Sequence, residues 1–201
     1  MVRMPELLLA TSNPGKIREY RVLLQDIGYS ITTPEAEGIA ETVTESGDTY
    51  EQNARLKAIS FAKLSHLTTL ADDSGLEVDA LGGQPGVHSA RFAGEGATDE
   101  ERVGLLLARL NGVPREERTA RFRCVIAIAH PGGRVDICHG ECHGIIALEP
   151  KGKHGFGYDP VFYLPDLGRT MAELSADLKN QISHRALASQ QARRVLLQRQ
   201  P

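Results

Sequence analysis

Apolar and polar positions fall into short segments whose period switches between that of a strand and that of a helix. Residues 6–10 form a brief apolar run that predicts a first strand, leading into the polar turn Thr11, Ser12, Asn13, Pro14, Gly15. From Lys16 the residues Ile17, Tyr20, Leu23, Leu24 and Ile27 recur at helical spacing, and Gly28 supplies a C-terminal stop. A second helix is predicted over about 48–64, with Ala54, Ala58, Phe61 and Ala62 on its inner face. Residues 67–71 read as a strand that ends in Asp-Asp-Ser-Gly, 76–80 as a further strand, and 82–86 as a Gly/Pro loop. Thr98 opens a third helix, because Glu101 stands three residues on in capping-box form; Val103, Leu106, Leu107 and Leu110 point inward.

The strongest strand signal follows. Two long apolar-rich runs, 122–129 and 135–146, flank the turn His130-Pro131-Gly132-Gly133 and predict a hairpin. After the Gly-rich segment 151–160 come a short helix near Ala172 and a last one from about Ser183. Helices interleaved with strands, plus one long hairpin, imply an α/β protein with a mixed sheet.

Bulk properties narrow the class. A chain of 201 residues can bury a real core as one domain, with or without two lobes. Its net charge of -3 argues against a duplex-DNA binder, and 5% aromatic residues argue against an RNA-binding surface. Neither excludes a small anion held by a local cluster of Lys and Arg. The apolar run at 7–10 is too short for a membrane span or a signal core, and three cysteines do not suggest a disulfide framework, so a cytoplasmic location is expected.

Several segments carry candidate chemistry. Thr11 to Lys16 joins a strand end to a helix start, where backbone N–H groups and the helix dipole favour an anion; Gly15 permits close approach and Lys16 adds a mobile charge. The same segment also reads as a plain connection. Asp72 and Asp73 are adjacent carboxylates followed by Ser74 and Gly75. Like charges this close suggest an intervening hard cation bound through oxygen, while Asp, Ser and Gly together also make a turn. Glu45 and Lys57 are a further candidate ligand and phosphate contact. In the 151–160 loop, Phe156 and Tyr158 among three glycines either stack on a nucleobase or fold back into the core. The run from Cys138 to Gly144 superficially suggests a zinc site. On a strand, however, the sulfurs and imidazoles face opposite ways and do not converge.

Taken together and in this order, TSNPGK, ESGDTYEQNARLKA, ADDSGLEVDALGGQPGVHSARFAG, GFGYDP and SHR resemble the inosine triphosphate pyrophosphatase family over nearly the whole chain. The resemblance implies an elongated, twisted mixed sheet with helices forming two lobes around a nucleotide cleft, usually in a homodimer. It implies hydrolysis of inosine, deoxyinosine and xanthosine triphosphates to the monophosphate and pyrophosphate, with magnesium. Carried over by position, Thr11, Ser12, Asn13, Pro14, Gly15 and Lys16 would hold the triphosphate, assisted by Lys57. Glu45 and Asp73 would place the metal, Asp73 would act as general base supported by Asp72, and Ser74 would contact substrate. Phe156, Gly157, Tyr158 and Asp159 would surround base and ribose, and Lys179, His184 and Arg185 would complete the pocket. No nucleic acid or membrane partner is implied.

Two departures stand out: Gln52 precedes Asn53 where many relatives carry Glu, and TSN replaces a frequent TGN. Rival readings are a nucleotide sensor without turnover and a pyrophosphatase for modified pyrimidine nucleotides.

Overall fold

A computed structural model describes residues 4–198. Seven strands form one sheet: β1 (Glu6–Leu9), β2 (Ser30–Thr32), β3 (Thr68–Val78), β4 (Thr119–Ala129), β5 (Val135–Ile146), β6 (Phe162–Leu164) and β7 (Arg169–Thr170). Their order is β2-β1-β3-β4-β5-β6-β7. The sheet is mixed, because β1 runs parallel to both β2 and β3 whereas β6 is antiparallel to β5 and β7.

Among the described residues there are five α-helices, and the first four follow from local capping chemistry. Helix α1 (Pro14–Leu23) begins two residues earlier than the apolar period suggests, since Pro14 is preset for the first helical position and Asn13 caps it. Helix α2 (Tyr50–Ser65) is capped by Thr49 and ends at His66, which adopts a left-handed φ of 59°. Helix α3 (Asp99–Arg109) carries the Thr98–Glu101 capping box. Helix α4 (Ala176–Ile182) is capped by Ser175, and α5 (His184–Leu197) ends the described chain.

Three predicted elements differ. The two strands expected at 67–71 and 76–80 are one continuous β3 that runs through Asp72 and Asp73. The turn propensity of Asp-Asp-Ser-Gly loses to tertiary context, because each carboxylate finds partners on its own face of the sheet. The helix expected near Ala172 is a single 3-10 turn, Met171–Glu173. Helix α4 and strand β2 are too short, at seven and three residues, to carry a periodic signal.

The chain divides into two compact units. The first comprises the segment ending at Asp73, Cys124–Gly140 and the segment from Arg185; the second comprises Ser74–Arg123 and Glu141–His184. In the first unit Leu7, Leu9, Leu70, Cys124, Ile126, Ile128 and Cys138 pack against Tyr20 and Leu24 of α1 and Ala188, Ala192 and Leu196 of α5. In the second, Val103 and Leu106 of α3 join Leu76, Val78, Phe122, Ile146, Tyr158 and Phe162.

Candidate active site

Strand alternation decides the fate of the paired aspartates. Leu70 faces α1 and α5, so Asp72, two residues on, faces the same way and Asp73 faces the other. The repulsion argument for a cation shared by the two carboxylates therefore does not hold, because each has its own surroundings.

Asp72 is 1% exposed. Its Oδ2 lies 2.9 Å from Lys16 Nζ of α1, 3.7 Å from Arg185 Nε of α5 and 3.8 Å from Cys124 Sγ. Burial pushes its pKa up, but Lys16, Arg185 and Lys57 outweigh that and hold the carboxyl well below the usual range. Among the described residues its other oxygen, Oδ1, has no hydrogen-bond partner. Arg185 is buried too, paired with Glu19 at 2.7 Å and set over the Tyr20 ring. Cys124 is pushed up to about 12, chiefly by burial and by Asp72, so it stays a neutral thiol.

Asp73 is 5% exposed and sits beside α2. Asn53 Nδ2 donates to its Oδ2 at 3.0 Å, and Asn53 Oδ1 accepts the Gly47 N–H at 2.8 Å. Lys57, one turn further along α2, holds Glu45 Oε1 at 2.7 Å. Burial raises the Asp73 pKa, and the nearby Glu45 charge adds to the rise against Lys57, Asn53 and Lys16. A carboxyl shifted upward is a stronger base toward water than an ordinary one. Glu45 and Asp73 thus supply hard oxygen donors whose charges act on each other. That suits a divalent cation of the magnesium type, which uses one or two protein carboxylates and takes its remaining ligands from phosphates and water. Among the described residues no group of three or more His, Cys, Asp or Glu gathers as a metal cage.

The 11–16 turn works differently from its sequence pattern. The Gly15 and Lys16 N–H groups both donate to Asn13 Oδ1, at 2.8 and 3.1 Å, and the Ile17 N–H donates to the Asn13 carbonyl. Asn13 N–H in turn donates to Thr11 Oγ1. The helix N-terminus is thus capped from within, and the anion-attracting group the turn offers is the Lys16 ammonium rather than free backbone N–H groups. Ser12, Asn13 and Pro14 lie exposed and Gly15 is buried.

In the second unit Asp159 Oδ2 accepts the Phe156 N–H at 2.9 Å and also binds Lys179 Nζ, which lies 4.9 Å from the Phe156 ring centre. Gly155 makes this possible: at φ 77° a Cβ there would sit 2.0 Å from Asp159 Oδ2. Asp99, at the start of α3, accepts the Gly157 N–H at 2.6 Å. Phe156 is partly exposed, whereas Tyr158 is buried and donates its hydroxyl to the Ser89 carbonyl at 2.9 Å. Of the two aromatics, the Tyr158 ring is core, whereas the Phe156 ring stays partly exposed. His184 is buried and stacks on Phe122 at 4.7 Å, and Ser74 is partly exposed. The SHR segment divides, with Ser183 and His184 in the second unit and Arg185 in the first.

Asn53, Glu19 and Asp99 escaped the sequence reading. Asn53 alone left a signal, as a short polar amide on the inner face of a helix it disfavours. On β5, Cys138 and Cys142 are buried while His139 and His143 are exposed, the alternation expected of a strand.

The mixed α/β sheet thus buries two adjacent carboxylates, one paired with Lys16 and Arg185 and the other bound by Asn53. The Ham1 family model matches residues 7–195, and the chain belongs to that family, in agreement with its five motifs. It is 45% identical over 196 residues, covering 98% of this chain and 99% of its relative, to a dITP/XTP pyrophosphatase of Bacillus subtilis (strain 168). It is 51% identical over 192 residues, 95% of each chain, to a dITP/XTP pyrophosphatase of Desulforamulus reducens. The solved structure of a HAM1 protein from Coxiella burnetii matches with a TM-score of 0.89 and 43% identity, covering 98% of this chain and all of that one.

Proposed function

We propose that the protein hydrolyses non-standard purine nucleoside triphosphates, ITP, dITP and XTP, to the monophosphate and pyrophosphate. One observation carries the reading. A buried carboxylate, Asp73, is held by Asn53 beside the Lys57–Glu45 pair, in a chain that aligns end to end with enzymes of that name.

Asp73 takes the proton of the attacking water, and the bond between the α and β phosphates breaks as pyrophosphate leaves. Lys16 and Lys57 neutralise phosphate charge, and most of the catalysis comes from positioning and electrostatics. Asp72 holds Lys16 and Arg185 in place. Glu45 and Asp73 would hold magnesium, which when bound offsets charge on the phosphates. In the second unit Phe156 offers the base a stacking face, with Lys179, Asp159 and His184 as polar neighbours. Selectivity follows from the base edge: 6-oxo purines present an acceptor at O6 and a donor at N1, and adenine reverses both. A site matched to the first leaves buried groups mispaired against the second.

We further propose that the whole chain acts as one domain, that two copies form a homodimer, and that the enzyme works in the cytoplasm without nucleic-acid or membrane partners. The family match over residues 7–195 supports the first. Among the described residues no helix is long and apolar enough to cross a membrane.

The test is pyrophosphate release from ITP, dITP, XTP, GTP and ATP, with and without magnesium. The proposal expects ITP, dITP and XTP to be the preferred substrates and the reaction to stop without the metal. Preference for ATP, or nucleotide binding without turnover, overturns it.

A further inference from the structure

We propose that Asn53 is a positioning residue that holds Asp73 and the loop bearing Glu45 in one fixed relation. This rests on the roles proposed above for those two carboxylates. Asn53 is fully buried on α2, and its side chain reaches out of the helix in two directions. Nδ2 donates to Asp73 Oδ2 at 3.0 Å, and Oδ1 accepts the Gly47 N–H at 2.8 Å. An amide side chain donates to a carboxylate through its nitrogen while its oxygen accepts a backbone N–H.

The rest of α2 grips the same loop. Lys57 holds the Glu45 carboxylate at 2.7 Å, and Gln52 Oε1 accepts the Asp48 N–H at 2.8 Å. Gln52 thus serves as a backbone acceptor, and its neutral amide oxygen fills the place a carboxylate oxygen could take. Gly47 is seated directly against these residues, since a Cβ there would lie 2.6 Å from Gln52 Cβ and 2.8 Å from Asn53 Oδ1. Asn53 adds to this grip the bond to Asp73. One buried amide therefore sets both the rotation of the Asp73 carboxylate and the height of the Glu45 loop.

The test uses Asn53→Ala, Asn53→Leu and Gly47→Ala in the full chain. It combines steady-state hydrolysis of ITP with amide hydrogen exchange at residue 47 in protein free of metal and nucleotide. Asn53→Ala should lose roughly 10- to 100-fold in kcat, the scale set by misplacing a reacting group by about 1 Å. Its KM for ITP should stay within about threefold, because Lys16 and the base-side residues are untouched, and its Gly47 amide should exchange faster. Asn53→Leu keeps the volume and loses both hydrogen bonds, so residue 47 should exchange faster and kcat should fall as far as in the alanine variant. Gly47→Ala leaves both functional side chains in place but pushes the loop off Asn53, and it should lower kcat even if Asn53→Ala does not fold.

A folded Asn53→Ala with kcat within twofold of the parent overturns the proposal, whatever its melting temperature. So does an Asn53→Leu that keeps parental kcat, which marks a space-filling role. If the parent releases pyrophosphate from no nucleotide, the proposed function falls. Exchange at Gly47 then decides alone: equal rates in parent and Asn53→Ala overturn the bracket, and slower exchange in the parent supports it.

Discussion

Replacing Asp72 by Asn removes one charge from a largely buried cluster while leaving the shape of the side chain unchanged. Its Oδ2 faces Lys16 at 2.9 Å and Arg185 at 3.7 Å. Deleting one partner of a buried pair costs about 3–5 kcal/mol, because the remaining charge loses its compensation. Two features put this site at the low end. Arg185 keeps Glu19 at 2.7 Å, and the Lys16 side chain, 15% exposed, can turn toward water. The expected loss at pH 7 is about 3 kcal/mol. For a chain of this size that lowers Tm by roughly 6–12 °C.

The pH dependence has a definite sign. The folded-state pKa of Asp72 is depressed, so the unfolded chain takes up the proton first as pH falls. Its contribution is fully present above the unfolded value of about 3.9 and drains away as pH drops from there through the folded value. Urea unfolding of parent and Asp72→Asn should show a constant gap between pH 7 and 5 that begins to narrow below about pH 4. A gap under about 1 kcal/mol at pH 7, or one that widens on acidification, refutes the claim that this charge pays for its own burial.

Asp73 should behave in the opposite way. Its pKa is raised by burial first, so its charge costs stability increasingly as pH rises through the folded value. In metal-free buffer at pH 7, Asp73→Asn should melt no lower than the parent; with magnesium present its turnover should fall about 10²- to 10⁴-fold or more, and near-normal turnover sinks the base assignment. Gly155→Ala meets both a left-handed φ and a 2.0 Å clash, whereas Gly157→Ala at φ 64° has open space around it. Urea midpoints should therefore rank Gly155→Ala below Gly157→Ala, the latter costing only backbone strain of about 1–3 kcal/mol, and the reverse order refutes the packing argument. Tyr158→Phe should cost about 1 kcal/mol of stability and leave KM unchanged, since only the Ser89 bond is lost. Phe156→Ala should raise KM for ITP roughly 5- to 150-fold if its ring stacks on the base, and a larger KM effect in Tyr158→Phe than in Phe156→Ala would refute the assignment.

Much of the fold was legible because capping chemistry and periodicity are local. The Thr98–Glu101 box, the inner face Ala54, Ala58, Phe61, Ala62 and the 130–133 hairpin turn all stand where the residues point. What failed was local propensity at Asp72 and Asp73. Asp-Asp-Ser-Gly is turn-like by itself, and only the arrival of α1, α2 and α5 on the two faces makes a strand through it affordable. Strand β2 is three residues long and takes its identity from pairing with β1, which no single segment encodes.

The site shows the same limit at finer grain. The residues with unusual chemistry, Lys16, Glu45, Asp72 and Asp73, could be picked out, but their pairing could not. Adjacent numbers suggested that the two aspartates act together, whereas the pleat sends Asp72 to Lys16 and Arg185 and Asp73 to Asn53. Separation gives each carboxylate a different environment, and environment decides protonation: one is held ionised by cations, the other is pushed toward basicity by burial. Two identical side chains, one residue apart, can then take different tasks. Under the proposed function, Asp72 would fix the cations that meet the phosphates, and Asp73 would remain available to accept a proton. A turn would have left both in water with ordinary pKa values, so the continuous strand is what makes the division of labour chemically possible.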